Sequence, residues 1–242
     1  MRKLVVYNTL GFPNPSDFTA FIDGVRKAGA DVLEVGLPPR YAKYDGPVIR
    51  RSHEIVAKFG DLSGNLGEVA RRAEIPVVIL TYLEDHIDHL DQFLDSLKKL
   101  NVEGVLFPDL LIDFTQQIDL VVSKVRAHGL KNVLFTSPSV PDSFIKRTGE
   151  ITDMFLYYGV RPTTGVPIPV DVGALIRRVR NMVRSELVVG FGLSGDKDIV
   201  SALRAGADGI AVGTAVISEL EKEGVTEGLK LVSYYRGVID GV

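Results

Sequence analysis

Two glycine-rich stretches near the end of the chain decide the fold: LVVGFGLSG at residues 187–195 and GIAVGT at residues 209–214. Each is a short apolar run that ends in glycine and leads into a segment with helical spacing. Six similar runs precede them, separated by helical patterns. The eight predicted strands cover residues 3–7, 32–35, 77–82, 104–107, 132–135, 154–158, 187–189 and 209–212.

Eight strand–helix units in 242 residues favour a (β/α)8 TIM barrel, which we expect to form a single domain over residues 1–242. The long helical crossovers require parallel strands. A doubly wound open sheet has the same local pattern and is the alternative. The positions of the glycines favour the barrel, because the loops after strands 7 and 8 of such barrels often bind phosphate through backbone N–H groups. Tight turns between strand and helix would explain the same glycines without a ligand.

The composition is that of an ordinary globular protein, with 45% hydrophobic residues and a formal net charge of −3. No run of basic residues points to nucleic acid or to a membrane surface. The absence of cysteine excludes disulfides, thiolate metal sites and cysteine nucleophiles. No segment approaches the roughly 20 apolar residues of a membrane span, and the first residues do not form a secretory signal. We therefore expect a soluble cytoplasmic protein.

One carboxylate, Glu34, interrupts the apolar second strand close to its carboxyl end. Burying a carboxylate costs several kcal/mol unless the group is paired or its pKa rises. A raised pKa at the mouth of a barrel suits a general acid or base. A hydrogen bond to a neighbouring loop, or an ion pair with an arginine, would be a purely structural explanation.

A second carboxylate, Asp45, follows eleven residues later in the turn YDGP at residues 44–47, just before the next predicted helix. Taken alone, this residue is typical of a turn or a helix cap. Its interest comes from its spacing to Glu34.

That spacing resembles a family signature. The pair EVGLP at residues 34–38 and DGP at residues 45–47 is similar to the catalytic region of the tryptophan synthase alpha subunit family. Further similarities follow in the order of the family and span nearly the whole chain: TLGFP at 9–13, GVLFPDL at 104–110, TG at 164–165, GFGLS at 190–194 and ADGIAVG at 207–213.

The resemblance implies a lyase of tryptophan biosynthesis that cleaves indole-3-glycerol phosphate to indole and glyceraldehyde 3-phosphate. It implies Glu34 as the acid for indole C3 and Asp45 as the acceptor of the indole N–H. The implied substrate-binding residues are Tyr7, Tyr82, Tyr157, Thr164, Gly165, Gly190, Phe191, Gly192, Gly213 and Thr214. No metal and no cofactor are implied for this chain, because pyridoxal phosphate belongs to the partner, the tryptophan synthase beta subunit.

Three loops depart from the usual family pattern: PPRYA at residues 38–42, YLEDH at 82–86 and GVRPTTG at 159–165. The first two follow strands 2 and 3 and, in the family, face the beta subunit. We therefore expect the chemistry to be kept and the details of docking to differ.

Several alternatives stay open at this point. A retro-aldol cleavage can use a lysine Schiff base, and Lys43 is the lysine nearest to a predicted strand end. A metal could be bound after strand 3 by His86 and His89 with the carboxylates Glu84, Asp85 and Asp88, although such a run is more typical of a solvated helix start.

The remaining histidines, His53 and His128, lie in helical segments, and we expect both at the surface. Two other functions would fit a phosphate-binding barrel. The chain could be a different enzyme of this kind, such as a sugar-phosphate isomerase or a glycerol-phosphate prenyltransferase, or a non-catalytic barrel that regulates a partner.

Overall fold

The structure, a computed structural model, describes residues 2–161, 171–190, 192–193 and 195–242. Eight parallel strands close into a barrel in the order of the sequence, and β8 pairs with β1. The strands are β1 Lys3–Thr9, β2 Val32–Gly36, β3 Val77–Leu80, β4 Gly104–Leu106, β5 Lys131–Thr136, β6 Leu156–Gly159, β7 Leu187–Gly190 and β8 Gly209–Val212. The predicted TIM barrel is confirmed.

The helices surround this barrel. Within the described ranges they are α1 Pro15–Val25, α2 Pro47–Val56, α3 Leu66–Ala73, α4 Leu90–Lys99, α5 Ile118–Ala127, α6 Asp142–Ile151, α7 Val172–Arg180, α8 Asp196–Arg204, α9 Thr214–Lys222 and α10 Val225–Asp240. Both α2 and α3 lie between β2 and β3, so that connection is longer than a single crossover helix.

All eight predicted strands are present, and their ends differ from the prediction by about two residues at most. The third strand ends at Leu80 rather than at Tyr82, because Tyr82 already begins the turn Leu83–Asp85. The sixth strand begins at Leu156 rather than at residue 154.

Side chains inside the barrel follow the two-residue period of the strands. The interior cluster consists of Val5, Val32, Val78, Leu106, Val133, Phe135, Phe155, Tyr157, Val188 and Ala211. A larger apolar cluster fills the space between the barrel and its helices. Because alternate residues share a face, Tyr7, Glu34, Gly190 and Gly213 lie two positions beyond interior residues, at the carboxyl-terminal mouth of the barrel.

In the described part of the chain, no helix is long and apolar enough to cross a bilayer. The cytoplasmic location stays a prediction.

The barrel closes where β1 meets β8, and Gly209 allows the close approach of these strands. A Cβ atom at Gly209 would lie 2.5 Å from the backbone carbonyl oxygen of Lys3. Backbone at that distance has to shift if a side chain is added.

We expect Gly209→Ala to destabilise the protein by about 1–3 kcal/mol, because the added methyl group forces the seam apart. Urea unfolding followed by circular dichroism measures the change. The matched control is Gly237→Ala in α10, where no atom lies within 4 Å of the added Cβ. We expect Gly237→Ala to stabilise the protein by about 0.5–1 kcal/mol, because alanine favours the helix more than glycine does. Equal stability of the two variants would contradict this account of the seam.

Candidate active site

The carboxyl group of Glu34 is buried in the barrel mouth. The residue is 2% exposed, and its Oε1 accepts no hydrogen bond within the described residues. The same part of the chain contains no arginine paired with it. Burial, and then the charge of Asp45, raise the pKa of Glu34 to about 8. At neutral pH, Glu34 is therefore a carboxylic acid that can donate a proton.

The second carboxylate, Asp45, is held in the loop between β2 and α2. The hydroxyl of Tyr82 donates to Asp45 Oδ2 over 3.1 Å, and Nε2 of His53 lies 3.5 Å from the same oxygen. The charge of Asp45 is the second cause, after burial, of the raised pKa of Glu34. The two carboxyl groups predicted to be catalytic therefore influence each other electrostatically, and their catalytic roles stay a prediction.

Tyr82 supports the loop that carries Asp45. It is 1% exposed, and its hydroxyl accepts the backbone N–H of Tyr44 over 2.9 Å while donating to Asp45. Its ring stacks on that of Tyr44 at 6.1 Å between centroids. Burial, followed by the charge of Asp45, raises the pKa of Tyr82, so the phenol stays a donor. Its predicted contact with substrate stays a prediction, whereas its contact with Asp45 is present in the structure.

Tyr7 is the neighbour of Glu34 in the sheet, since the two residues are paired in the β1–β2 register. Its hydroxyl lies 3.1 Å from Thr9 Oγ1, which in turn lies 2.6 Å from Ser52 Oγ in α2. Burial, then the charge of Asp45, raise the pKa of Tyr7 well above its ordinary value. A neutral phenol therefore stands beside the acid, at a position suited to a substrate contact.

Tyr157 and Gly190 form a packed pair on β6 and β7. The hydroxyl of Tyr157 occupies the place where Gly190 would carry a Cβ atom. The ring of Tyr157 also lies 5.8 Å from that of Phe135. Gly190 therefore makes room for a tyrosine at the mouth of the barrel, and its predicted contact with substrate stays a prediction.

The predicted phosphate-binding site consists of the loops after β7 and β8. Gly192 has φ +101°, a conformation that favours glycine, and the buried side chain of Arg161 lies against it. Gly213 precedes α9, and Thr214 is the first residue of that helix. The start of α9 has no side-chain cap and no acidic residue in its first turn, so its N–H groups can bind an anion. Thr164, Gly165 and Phe191 lie outside the described residues.

Loops at the mouth are tied together by ion pairs around Lys43. Its Nζ lies 2.6 Å from Glu84 and 3.1 Å from Asp113. Tyr44 also donates to Asp113 over 2.8 Å. Hydrogen bonds to the two carboxylates raise the pKa of Lys43, so its amine stays protonated. A Schiff base needs the neutral amine, and the lysine alternative therefore lacks support.

The histidines after β3 are arranged for packing. His86 stacks on Phe93 at 3.8 Å between centroids, and its Nε2 lies 3.0 Å from Thr81 Oγ1. Burial lowers the pKa of His86 to about 4. Among the residues that the structure describes, no three His, Asp or Glu side chains are grouped so that they could hold a metal ion.

Two buried residues at the site were missed by sequence reasoning. Asp109, which is fully buried, accepts the backbone N–H groups of Leu83 and Glu84 and so fixes the loop after β3. His53 is buried, so its expected surface position is wrong. The buried residues of α2 follow the 3.6-residue period of one helix face, and this spacing could have revealed His53; they are Ile49, Ser52, His53 and Val56.

Comparison with known proteins gives the family. A family model described as the tryptophan synthase alpha chain matches residues 1–236. The chain belongs to the tryptophan synthase alpha chain family. It is 54% identical over 240 residues to the alpha chain of Sulfurisphaera tokodaii, covering 99% of this chain and 98% of the relative. It is 52% identical over 239 residues to that of Saccharolobus solfataricus, covering 99% and 97%.

Solved structures agree with this assignment. The chain superposes on the alpha subunit in a tryptophan synthase complex from Pyrococcus furiosus with a TM-score of 0.84, at 28% identity and with 100% of both chains covered. The tryptophan synthase alpha chain cleaves indole-3-glycerol phosphate and is a lyase of tryptophan biosynthesis. The isomerase, prenyltransferase and regulatory alternatives are therefore set aside.

The raised pKa of Glu34 predicts a pH-dependent cost in stability. Between about pH 4.5 and 8 the unfolded chain ionises this group while the folded chain keeps it protonated. The free energy of unfolding therefore loses up to about 1.4 kcal/mol per pH unit in this window and levels off above it. The Glu34→Gln variant has no ionisable group at this position. Its free energy of unfolding should therefore increase relative to that of the parent protein as the pH rises.

Urea unfolding of both proteins at pH 5, 6, 7 and 8 measures this difference. Glu54→Gln, which removes an exposed carboxyl group from α2, is the matched control. A stability difference for Glu34→Gln that stays constant across these pH values would show that the folded protein ionises Glu34 normally.

Proposed function

We propose that this chain cleaves indole-3-glycerol phosphate with Glu34 as the proton donor to indole C3 and Asp45 as the acceptor of the indole N–H. The observation that carries the proposal is the buried carboxyl group of Glu34, whose Oε1 has no hydrogen-bond partner among the described residues and whose pKa is raised to about 8 by burial and by the charge of Asp45. An acid is required because indole leaves only after its C3 is protonated.

The proposed proton transfers balance. Glu34 donates its proton to C3 of the indole ring, and the positive charge that develops at the ring nitrogen is stabilised by the carboxylate of Asp45. The resulting Glu34 carboxylate takes the proton of the adjacent glycerol hydroxyl. As the C–O bond becomes a carbonyl, the bond between C3 and the glycerol carbon breaks, and its electron pair restores the aromatic ring. Indole and glyceraldehyde 3-phosphate leave, and Glu34 regains its proton.

The phosphate group gives the substrate its orientation. We assign it to the backbone at Gly192, Gly213 and Thr214, since the uncapped start of α9 attracts an anion. Thr164, Gly165 and Phe191 stay predicted contributors. Binding of this non-reacting group holds the indole ring between the acid and the acceptor, which lowers the entropic part of the barrier.

Glu34 and Asp45 account for every proton transfer in the proposed reaction, so we propose that this chain carries no cofactor of its own.

A partner is suggested by a solved structure that concerns the mutual activation of the tryptophan synthase α2β2 complex from Pyrococcus furiosus. This chain resembles that structure with 26% identity and a TM-score of 0.82. We accordingly propose a tryptophan synthase beta subunit, the subunit that holds pyridoxal phosphate, as the partner. Tyr41 and Ile112 are exposed apolar side chains on loops after β2 and β4 and can contact it.

Incubation with indole-3-glycerol phosphate tests the catalytic proposal. We expect indole release from the parent protein and a loss of about 10²–10⁴-fold in kcat for Glu34→Gln, because the amide cannot donate the proton. Binding of glycerol phosphate should be unchanged, since the phosphate contacts lie on other strands. Glu54→Gln serves as the control for a charge change outside the site. Glu34→Gln activity within tenfold of the parent would remove Glu34 from the mechanism.

Titration with a beta subunit tests the proposed partner. We expect association and an increased rate of indole formation, and we expect Tyr41→Ser to weaken the association by about tenfold, because it removes an exposed aromatic contact. Calorimetry measures binding, and the indole assay measures stimulation. A beta subunit from a relative that neither binds nor stimulates at micromolar concentration would argue against this partnership.

A further inference from the structure

The imidazole of His53 is buried without a hydrogen bond. Both ring nitrogens are inaccessible to solvent, and neither has a hydrogen-bond partner among the described residues. A buried polar group left in this state costs about 1–3 kcal/mol. Its Nε2 lies 3.5 Å from Asp45 Oδ2, slightly beyond hydrogen-bond distance. The nearest partner for this ring is thus a residue of the proposed mechanism.

The local fold holds His53 in this place. Helix α2 begins at Pro47, directly after Asp45 and Gly46, and His53 lies on its buried face. In the same turn, Ser52 donates to the carbonyl of Ile49 and lies 2.6 Å from Thr9 Oγ1. These contacts join α2 to β1 and so fix the helix that carries His53.

The contacts of Asp45 are asymmetric. The hydroxyl of Tyr82 and the ring of His53 both lie at Oδ2, and no side chain in the described part of the chain forms a hydrogen bond or an ion pair with Oδ1. Titratable groups that contact this carboxylate or are influenced by its charge come from β1, β2, the turn after β3 and α2: Tyr7, Glu34, Tyr82 and His53. One hydrogen bond from Tyr82 and the nearby ring of His53 at the same oxygen orient the carboxylate, so that its second oxygen is available to a ligand.

We propose that His53 is a positioning residue whose Nε2–H, 3.5 Å from Oδ2 of Asp45, orients that carboxylate electrostatically so that Oδ1 faces the indole N–H. This inference rests on the proposed function, in which Asp45 is the acceptor for that group. Nothing in it requires His53 to contact the substrate.

Substitutions that keep or remove the donor provide the test. Glutamine carries an N–H at about the position of Nε2, whereas leucine fills similar space without a donor. We expect His53→Leu to lower kcat by about ten- to a hundredfold with little change in KM, because a misplaced acceptor affects the transition state. The kcat of His53→Gln should lie within about threefold of the kcat of the parent protein. His128→Leu, far from Asp45, is the matched control.

A double-mutant cycle and a spectroscopic signal separate this role from a general effect on folding. In an Asp45→Asn background, His53→Leu should cause no further loss of kcat, because the group it positions has already been changed. Nitrogen-15 NMR of labelled histidine should show that Nε2 carries the proton in the parent protein and that its signal shifts in Asp45→Asn. Circular dichroism confirms that each variant is folded.

The outcomes distinguish the two proposals. Full activity of Asp45→Asn would overturn the proposed function. Loss of activity in Asp45→Asn, together with equal activity of His53→Leu and the parent, would overturn the positioning role alone. Equal losses in His53→Gln and His53→Leu, or an Nε2 signal that does not respond to Asp45→Asn, would also overturn it.

Discussion

The active site depends on one constraint: a carboxyl group inside a closed parallel barrel has no water to solvate its charge. The two-residue period of β2 turns Glu34 inward above Val32, and pairing with β1 places it beside Tyr7. Burial keeps the group protonated at neutral pH, which is the state that an acid catalyst needs. The barrel that buries Glu34 is therefore also the cause of its raised pKa.

The proposed acceptor, Asp45, is positioned differently from the proposed acid, Glu34. Glu34 stands on a strand and needs no further support, whereas Asp45 lies on a loop that is fixed by side chains from other elements. Tyr82 contacts both that loop and the carboxylate, and Asp109 fixes the next loop through two backbone N–H groups. A loop held by buried hydrogen bonds can place a charge nearly as accurately as a strand does.

The barrel and its eight strands could be predicted from the sequence, because period and glycine positions are local signals, whereas the pairing of Glu34 with Asp45 came from the family resemblance and stays a prediction. The buried position of His53 was accessible from the spacing in α2 but was read as a surface feature. The contact of Tyr157 with Gly190 could not be predicted, since it joins two strands through their side chains. Residues whose function depends on such long-range contacts become visible only when the chain is folded.

The ion pairs of Lys43 with Glu84 and Asp113 have a consequence for behaviour on heating. Charged groups lose favourable hydration as the temperature rises, so the cost of pairing them decreases. The anchoring of the loop before Asp45 should therefore weaken less with temperature than isolated polar contacts at the surface do. The position of Asp45 should accordingly be less sensitive to heating than it would be if isolated polar contacts alone anchored this loop.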